Sequence, residues 1–146
     1  MAANKDHRQQ IVEEEAIEPL IILAWADDLN VQRHALLVLR GICISLISRT
    51  IIEFGILDCV VLIARSDEIE LVHEVSAALN CLSSMDENKK EISYKAISTV
   101  ISLVSSDDNQ TKRYSCCTIA NLAEMTELQH SILREHGLST SFQFSN

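Results

Sequence analysis

The chain has 146 residues, of which 47% are hydrophobic, with only three glycines and one proline. This composition allows a buried core and supplies few turn residues, so it favours helices. The formal net charge of −9, from 21 acidic and 12 basic residues, disfavours nucleic-acid binding because no large basic cluster offsets it. No apolar run reaches the roughly 18 residues that membrane insertion requires, which excludes direct insertion.

The apolar spacing predicts three helices in each of three successive stretches of the chain. In the first stretch, Pro19 lies near the start of the short second helix, where its missing N–H costs little. Gly55 and Gly137 fall where a first helix is expected to end in a left-handed conformation. The predicted helices cover residues 6–15, 17–26 and 30–45; 48–54, 57–66 and 71–82; 86–94, 96–105 and 111–122; and, in a fourth stretch, 127–136.

Apolar residues recur at intervals of 40 along the whole chain. The clearest rungs are Val12, Ile52, Ile92 and Ile132, then Leu20, Val60 and Val100, and then Leu39, Leu79 and Ile119. A fixed period near 40 with the apolar positions kept is typical of stacked repeats, in which each unit buries its face against its neighbours. Acidic pairs begin at Asp27, Asp67 and Asp107 and recur at the same phase. They are expected to cap the third helices rather than to bind calcium, which needs six or more oxygens in one loop.

The chain reads RQQIVEEEAIEPLIILA over residues 8–24 and NVQRHALLVLRGI over residues 30–42, and AALNCLS and TIANLAE follow at the ends of the next two units. This pattern resembles the armadillo repeat, and the array is similar to the armadillo segment of multi-repeat adaptors such as ankyrin-and-armadillo proteins. The resemblance implies an all-α, right-handed α-solenoid with three helices per repeat. It divides residues 1–138 into units 4–43, 44–83 and 84–123 and a partial fourth unit, 124–138. Residues 139–146 are expected to form an irregular tail.

The resemblance also implies that the third helices line a concave face that holds an extended peptide. Nuclear-import receptors of the family use a tryptophan there and an asparagine four residues later, and this chain keeps only Asn121 of that ladder. The tryptophan positions correspond to Leu37, Ala77 and Cys117 in this chain. One helical turn before them lies a basic row of Arg33, His73 and Arg113. This row could contact acidic or phosphorylated residues of a peptide, or it could be an ordinary solvated helix face. The candidate binding residues are Arg33, Leu37, His73, Ala77, Arg113, Cys117 and Asn121.

No catalytic constellation, cofactor motif or metal site is predicted. The histidines and five cysteines do not show zinc-ligand spacing, and neither a phosphate loop nor a nucleophile elbow is present. The polar N-terminus lacks the features of a signal peptide, so we expect a cytoplasmic or nuclear protein with reduced cysteines. The expected function is a non-catalytic adaptor or scaffold that binds a protein segment. The alternative is a structural piece, a fragment or shortened form of a longer array, that stacks on further repeats or self-associates.

Overall fold

The computed structural model describes residues 15–43 and 48–144, with side chains as far as residue 135. Regular structure in these residues is entirely helical. The first described helix, α1, covers residues 15–24, and the predicted helix over residues 6–15 lies almost wholly outside the described part. The others are α2 (Leu29–Ile42), α3 (Ser48–Glu53), α4 (Ile56–Ile63), α5 (Ile69–Ser83), α6 (Asp86–Val104), α7 (Asn109–Ala123) and α8 (Thr126–Phe144).

The helices form two layers that follow the 40-residue period. One layer consists of α2, α5 and α7, the third helices of the three units, and in it α5 packs against both α2 and α7. In the other layer α6 packs against both α4 and α8. Each unit therefore contacts its neighbours in order along the chain, as expected of a solenoid. The prediction of an all-helical stacked repeat is confirmed.

The apolar rungs form a continuous core between the layers. Leu39 and Leu79 are each 1% exposed, and Ile52 and Ile92 are 2% and 0% exposed. The predicted burial of Leu79 between units is therefore confirmed. Burial of such side chains contributes roughly 1.5–3 kcal/mol each, which makes this ladder the main favourable term in the stability of the stack.

Acidic side chains start two of the three third helices, as expected. Asp28 Oδ1 accepts hydrogen bonds from the backbone N–H groups of Asn30 and Val31, at 2.8 and 3.1 Å. Asp108 Oδ2 accepts one from Thr111 N at 2.7 Å. This backbone bond, with a smaller electrostatic contribution from His73, lowers the pKa of Asp108. The equivalent Glu68 before α5 makes no such side-chain bond.

The third unit departs from the predicted three helices. Helix α6 runs without a break from Asp86 to Val104, where the sequence predicted separate helices over residues 86–94 and 96–105. In the second unit Gly55 separates α3 from α4 with a φ of 89°, a conformation that glycine adopts without strain. The residue at the same phase in the third unit is Lys95, which has a side chain and favours continued helix.

The C-terminal segment also differs from the prediction. Helix α8 continues through Gly137 as far as Phe144, so an irregular tail is wrong for residues 139–144. A lone glycine inside a helix costs only about 1 kcal/mol, which is too little to end the helix when no proline follows. Helices α8 and α6 both contain 19 residues and start 40 positions apart. The fourth unit thus supplies a fused first and second helix, more than the predicted first helix alone.

A buried lysine links the two layers in the third unit. Lys89 is 1% exposed, and its Nζ lies 2.7 Å from both Asp86 Oδ1 and Glu124 Oε2. Burial alone would lower the pKa of Lys89, but hydrogen bonds and charge from the two carboxylates outweigh it and raise the pKa. Beside it, Asn88 Nδ2 donates to Ser48 Oγ at 3.2 Å and to Leu82 O at 3.1 Å. These contacts join the start of α6 to neighbouring helices.

Candidate functional site

The candidate binding residues lie on the three helices that stack side by side, α2, α5 and α7. We call the surface that they define the third-helix face. Helices α2 and α7 start at aspartate caps, and all three helices start 40 residues apart, so equivalent positions on successive helices come to equivalent places along the stack. The members of the third-helix face are Arg33, Leu37, His73, Ala77, Arg113, Cys117 and Asn121.

The first member of the basic row is paired within the protein. Arg33 Nη1 lies 2.7 Å from Glu70 Oε2, which belongs to the neighbouring helix α5. About two turns further along α2, Arg40 Nη1 lies 2.8 Å from Glu74 Oε2. The two pairs connect the first unit to the second. A ligand carboxylate at Arg33 would therefore compete with Glu70, which is largely exposed.

The second member of the row makes an aromatic contact across the next junction. The rings of His73 and Tyr114 have centroids 5.6 Å apart and an interplanar angle of 50°. His73 is also close enough to Asp108 to help lower the pKa of that carboxyl group. Its surroundings are therefore both aromatic and acidic, and it is half-buried rather than free.

Arg113, the third member, is the exposed cation of the row. It lies on α7 with its side chain in solvent, and none of the described carboxylates forms an ion pair with it. The basic row is therefore uneven along the stack. Arg33 and His73 have partners inside the protein, whereas Arg113 is available to a ligand.

Asn121, the single match to the family's asparagine ladder, belongs to α7, and its side chain contacts α5. Its Nδ2 is 3.0 Å from Ser83 Oγ and 3.4 Å from both the backbone oxygen and Oδ1 of Asn80. The amide N–H groups thus donate hydrogen bonds across the junction between the second and third units. A peptide backbone would have to displace these acceptors to use the same donor.

The three positions that carry tryptophan in the import receptors differ in accessibility. Leu37 is half-buried, Ala77 is 2% exposed, and Cys117 is exposed. Ala77 therefore presents almost no surface to a ligand, and the side-chain surface at these positions comes from Leu37 and Cys117. With no aromatic ring at any of the three, this face lacks the stacking surfaces that would hold lysine or arginine side chains.

The cysteines are free thiols, and their environments differ strongly. Burial raises the pKa of Cys43 to about 12, with a smaller contribution from Cys81, and raises that of Cys59 to about 11. These two side chains behave as small buried hydrophobes. Cys116 and Cys117 are exposed on α7. No three metal-binding side chains come together in the part of the chain that the structure describes.

The acceptors and aromatic partners of the site residues were not predicted from the sequence. Glu70, Glu74, Asn80 and Tyr114 each contact a residue 34 to 41 positions away, in the next unit. Reading one helix at a time cannot find such pairs. The signal that could have found them is a search for opposite charges at about one repeat length, which would have related Arg33 to Glu70 and Arg40 to Glu74.

Comparison with solved structures finds similar folds among designed and engineered proteins. A designed armadillo repeat protein in complex with the peptide (KR)4 matches with a TM-score of 0.81 and 20% identity, over 90% of this chain and 57% of its own. Computationally designed armadillo repeat proteins for modular peptide recognition give 0.82 and 20%, over the same shares. An engineered protein of the Northeast Structural Genomics Consortium gives 0.81 and 25%, over 88% of this chain and 33% of its own.

These matches give the chain an armadillo-like fold, which confirms the resemblance in its sequence. The chain spans between a third and three fifths of the length of these structures. No protein-family model matches the sequence, and no curated protein does. None of the described helices is long and apolar enough to cross a membrane. The described residues therefore form an armadillo-like α-solenoid.

Proposed function

We propose that the chain is a non-catalytic interaction module that holds an extended segment of a partner protein along the third-helix face. The observation that carries the proposal is the side-by-side packing of α2, α5 and α7, which aligns equivalent positions at successive levels. An extended peptide also repeats its side chains at regular intervals, so such a stack can contact it level by level. Structures with the same fold include designed proteins for modular peptide recognition.

The preferred segment is acidic or phosphorylated. The support is Arg113, whose guanidinium is exposed and without an ion-pair partner among the described carboxylates. Guanidinium groups bind carboxylates and phosphates through paired, charge-assisted hydrogen bonds. The designed protein that holds (KR)4 has a basic ligand. In this chain the tryptophan positions carry no aromatic ring, so we expect the opposite charge preference.

The test is a titration of two labelled extended peptides, one acidic and phosphorylated and one (KR)4, against the full chain. Arg113→Ala is expected to weaken binding of the acidic peptide by about tenfold, because a charged hydrogen-bonded contact is lost. Arg134→Ala is the matched control, since Arg134 is exposed on α8 and its loss changes the net charge equally. Unchanged affinity in the Arg113→Ala protein, or tighter binding of (KR)4 by the wild type, would reject the proposal.

The alternative function is a structural one, in which the array stacks on further repeats or on itself. The observation that favours it is the exposed surface of α7 at Cys116, Cys117 and Ala120. The counterparts of Cys116 and Cys117 40 positions earlier, Ser76 and Ala77, are 1% and 2% exposed, and that of Ala120, Asn80, is half-buried. Sedimentation equilibrium decides between the two functions: a rise in mass with concentration favours stacking, and a constant monomer mass favours the peptide-binding module.

The site of action that we propose is the cytoplasm or the nucleus. The support is the five thiols, all free, of which two are exposed on α7. Exposed thiols of this kind persist where the redox state is reducing. Nucleic acid is not a proposed partner, because the net charge of −9 repels phosphate groups.

A further inference from the structure

A cleft lies at the edge of the stack, between the turn that joins α4 to α5 and the turn that joins α6 to α7. Its volume is about 420 Å³, and its walls combine apolar, hydroxyl-bearing and acidic residues. It is an internal feature of the array, because the second and third units that form it both have described neighbours, α2 and α8. We call it the edge cleft. The residues that matter for its chemistry are Asp67, Ile69, Asp107, Asp108 and Thr111.

The charged side chains of the edge cleft are all acidic. Asp67 and Asp107 are exposed, and neither forms an ion pair with a described basic residue. Asp108 accepts the backbone N–H of Thr111, which lowers its pKa and keeps it ionised at neutral pH. No lysine, arginine or histidine lines the cleft. Its electrostatic field therefore favours a positively charged ligand.

A buried hydroxyl group at the floor of the edge cleft has no partner. Thr111 lines the cleft and is 0% exposed. Its backbone N–H is bonded to Asp108, whereas its Oγ1 has no hydrogen-bond partner among the described residues. An unpaired buried polar atom is unfavourable, so a ligand that brings a donor to this place gains affinity. The hydroxyl and the carboxylates thus call for the same ligand group, a cation with N–H donors.

The rim of the edge cleft is apolar on the side of the second unit. Ile69, the first residue of α5, is 65% exposed, and Leu62, in the last turn of α4, is 53% exposed. The residues 40 positions later, on the side of the third unit, are the exposed and polar Asn109 and Ser102. A ligand in the cleft therefore meets apolar surface in one direction along the edge and polar surface in the other.

The apolar rim continues along the edge of the first unit. Leu29 and Ile22, the counterparts of Ile69 and Leu62 in that unit, are 47% and 63% exposed. A small organic cation would leave this apolar surface in water. A metal ion does not fit either, because no three metal-binding side chains come together in the described part of the chain. A protein segment with large apolar side chains beside its positive charge fits both the rim and the cleft.

We propose that the edge cleft binds a segment of a partner protein in which an arginine lies next to a large apolar side chain. The guanidinium enters the cleft between the carboxylates of Asp67 and Asp107 and brings N–H groups to Thr111, and the apolar side chain covers Ile69. Arginine is preferred to lysine because its planar group has five donors and is less strongly hydrated. This surface differs from the third-helix face, and the proposal does not depend on peptide binding there.

The experiment measures the binding of three capped, labelled peptides to the full chain by fluorescence anisotropy. The peptide (LR)3 has both features, (GR)3 keeps only the charge, and (LE)3 keeps only the apolar side chains. We expect (LR)3 to bind at least about tenfold more tightly than either of the others. Failure of (LR)3 to bind at concentrations up to about 1 mM, or equal binding of (LR)3 and (GR)3, would overturn the proposal.

Matched charge variants locate the arginine. Asp107→Asn removes a carboxylate from the edge cleft, and Glu127→Gln removes one from α8, where Glu127 is 67% exposed. Both substitutions change the net charge equally. We expect Asp107→Asn to weaken (LR)3 by about fivefold or more and Glu127→Gln to weaken it by less than about twofold. Equal weakening would mean that the peptide responds to net charge alone, which would contradict a specific cleft.

Matched apolar variants locate the neighbouring side chain. Ile69→Asn gives the second unit the residue that the third unit has at this position, and Leu133→Asn makes the same change on α8, where Leu133 is 67% exposed. Both positions are exposed, so both variants should fold, which circular dichroism checks. We expect Ile69→Asn to weaken (LR)3 by about fivefold and Leu133→Asn to leave it unchanged. The reverse order would overturn the proposal.

Thr111→Val tests the unpaired hydroxyl with little change of shape. Because Oγ1 has no partner in the free protein, the Tm should stay the same or rise, while (LR)3 should bind about threefold more weakly. A lower Tm with unchanged affinity would show that the fold uses the hydroxyl, and would overturn the proposed binding mode.

Further readouts separate this proposal from the others. Asp107→Asn should not weaken the acidic peptide at the third-helix face, and Arg113→Ala should not weaken (LR)3, so the two proposals can fail independently. The peptide (KR)4 has no apolar side chain and should bind the edge cleft no better than (GR)3. Self-association of the wild type that Ile69→Asn abolishes would assign the edge to a second copy and overturn the proposal.

Discussion

The two internal junctions of the array have the same apolar framework and different polar links. Between the first and second units, Arg33 and Arg40 pair with Glu70 and Glu74. Between the second and third units, no ion pair is found between the described side chains of the third helices α5 and α7: the Asn121 amide donates to Asn80 and Ser83, and the His73 ring contacts Tyr114. The ion pairs of that junction, Arg49–Glu91 and Lys95–Asp58, join the other layer. Leu39 and Leu79, one repeat apart, are both buried.

The difference separates what makes the stack from what makes each junction specific. Apolar rungs recur with the period and supply most of the favourable free energy. The polar links do not recur, because the residues 40 positions after Arg33, Arg40, Glu70 and Glu74 are His73, Asn80, Gln110 and Tyr114. We infer that the rungs build the solenoid and that the polar pairs determine which helix follows which.

The largest effect is expected from shortening a rung. Leu79→Ala should reduce the free energy of unfolding by about 2–5 kcal/mol, because the side chain is 1% exposed and its removal leaves a cavity. Leu62→Ala is the control, since Leu62 is 53% exposed, and should cost under about 1 kcal/mol. Urea denaturation followed by circular dichroism measures both. Similar losses in the two variants would mean that the rungs do not carry the stability.

The Asn121 contacts between α5 and α7 should respond less strongly. Asn121→Ala removes the donor to buried Ser83 and half-buried Asn80, so we expect a loss of about 1–2 kcal/mol. Gln110→Ala changes an exposed amide on the same helix and should stay within about 0.5 kcal/mol of the wild type. If the two variants were equally stable, Asn121 would be free to serve a ligand instead of the junction.

Asn121 also shows how far the sequence alone could predict this protein. The period and the apolar spacing predicted the stacked helices and the burial of Leu79, because these properties depend on local patterns that repeat. The contacts of Asn121 depend on Asn80 and Ser83, which belong to another unit, and a helix read by itself contains no information about them.

Helix boundaries show the same limit. Gly55 ends α3 as predicted, yet Gly137 lies inside α8. The sequence offers a glycine in both places, and tertiary packing selects the outcome because a glycine costs a helix only about 1 kcal/mol. The accessibility of Ala77 and Cys117 was also beyond prediction, since it depends on whether another unit covers the helix.

The charged link from Lys89 on α6 to Glu124 at the end of α7 gives a pH-dependent contrast. The pKa of Lys89 is raised above its ordinary value of 10.5, so its stabilising contribution is complete below that pH and is lost as the pH rises through the folded-state pKa. Lys89→Met should lower stability by about 1 kcal/mol at pH 7, and the difference from wild type should shrink above pH 10.5.

Lys90→Met is the control for that measurement, because Lys90 is 64% exposed and pairs with the exposed Glu127. It should change stability little at any pH. The buried cysteines ionise equally in all three proteins and cancel in the comparison. A difference between Lys89→Met and wild type that stays constant from pH 7 to pH 11 would contradict the role assigned to Lys89.

The smallest effect is expected at the ion pairs between α2 and α5. A double-mutant cycle of Arg40→Met and Glu74→Gln should give a coupling energy of about 0.5–1 kcal/mol, because Arg40 is one-third exposed and solvent screens the pair. The same cycle on Arg33 and Glu70, which is more exposed, should give less. Coupling that does not fall when salt is added would show that the Arg40–Glu74 contact is not electrostatic.

We propose that the helices aligned by the repeat form the binding face, and amide chemical-shift mapping of the full chain with the acidic phosphorylated peptide examines this face residue by residue. We expect the shifts to concentrate on α2, α5 and α7, strongest around Arg113 and Cys117, and to leave α4 and α6 of the other layer unchanged. Shifts confined to α4, α6 or α8, with α7 unaffected at saturation, would exclude this binding face.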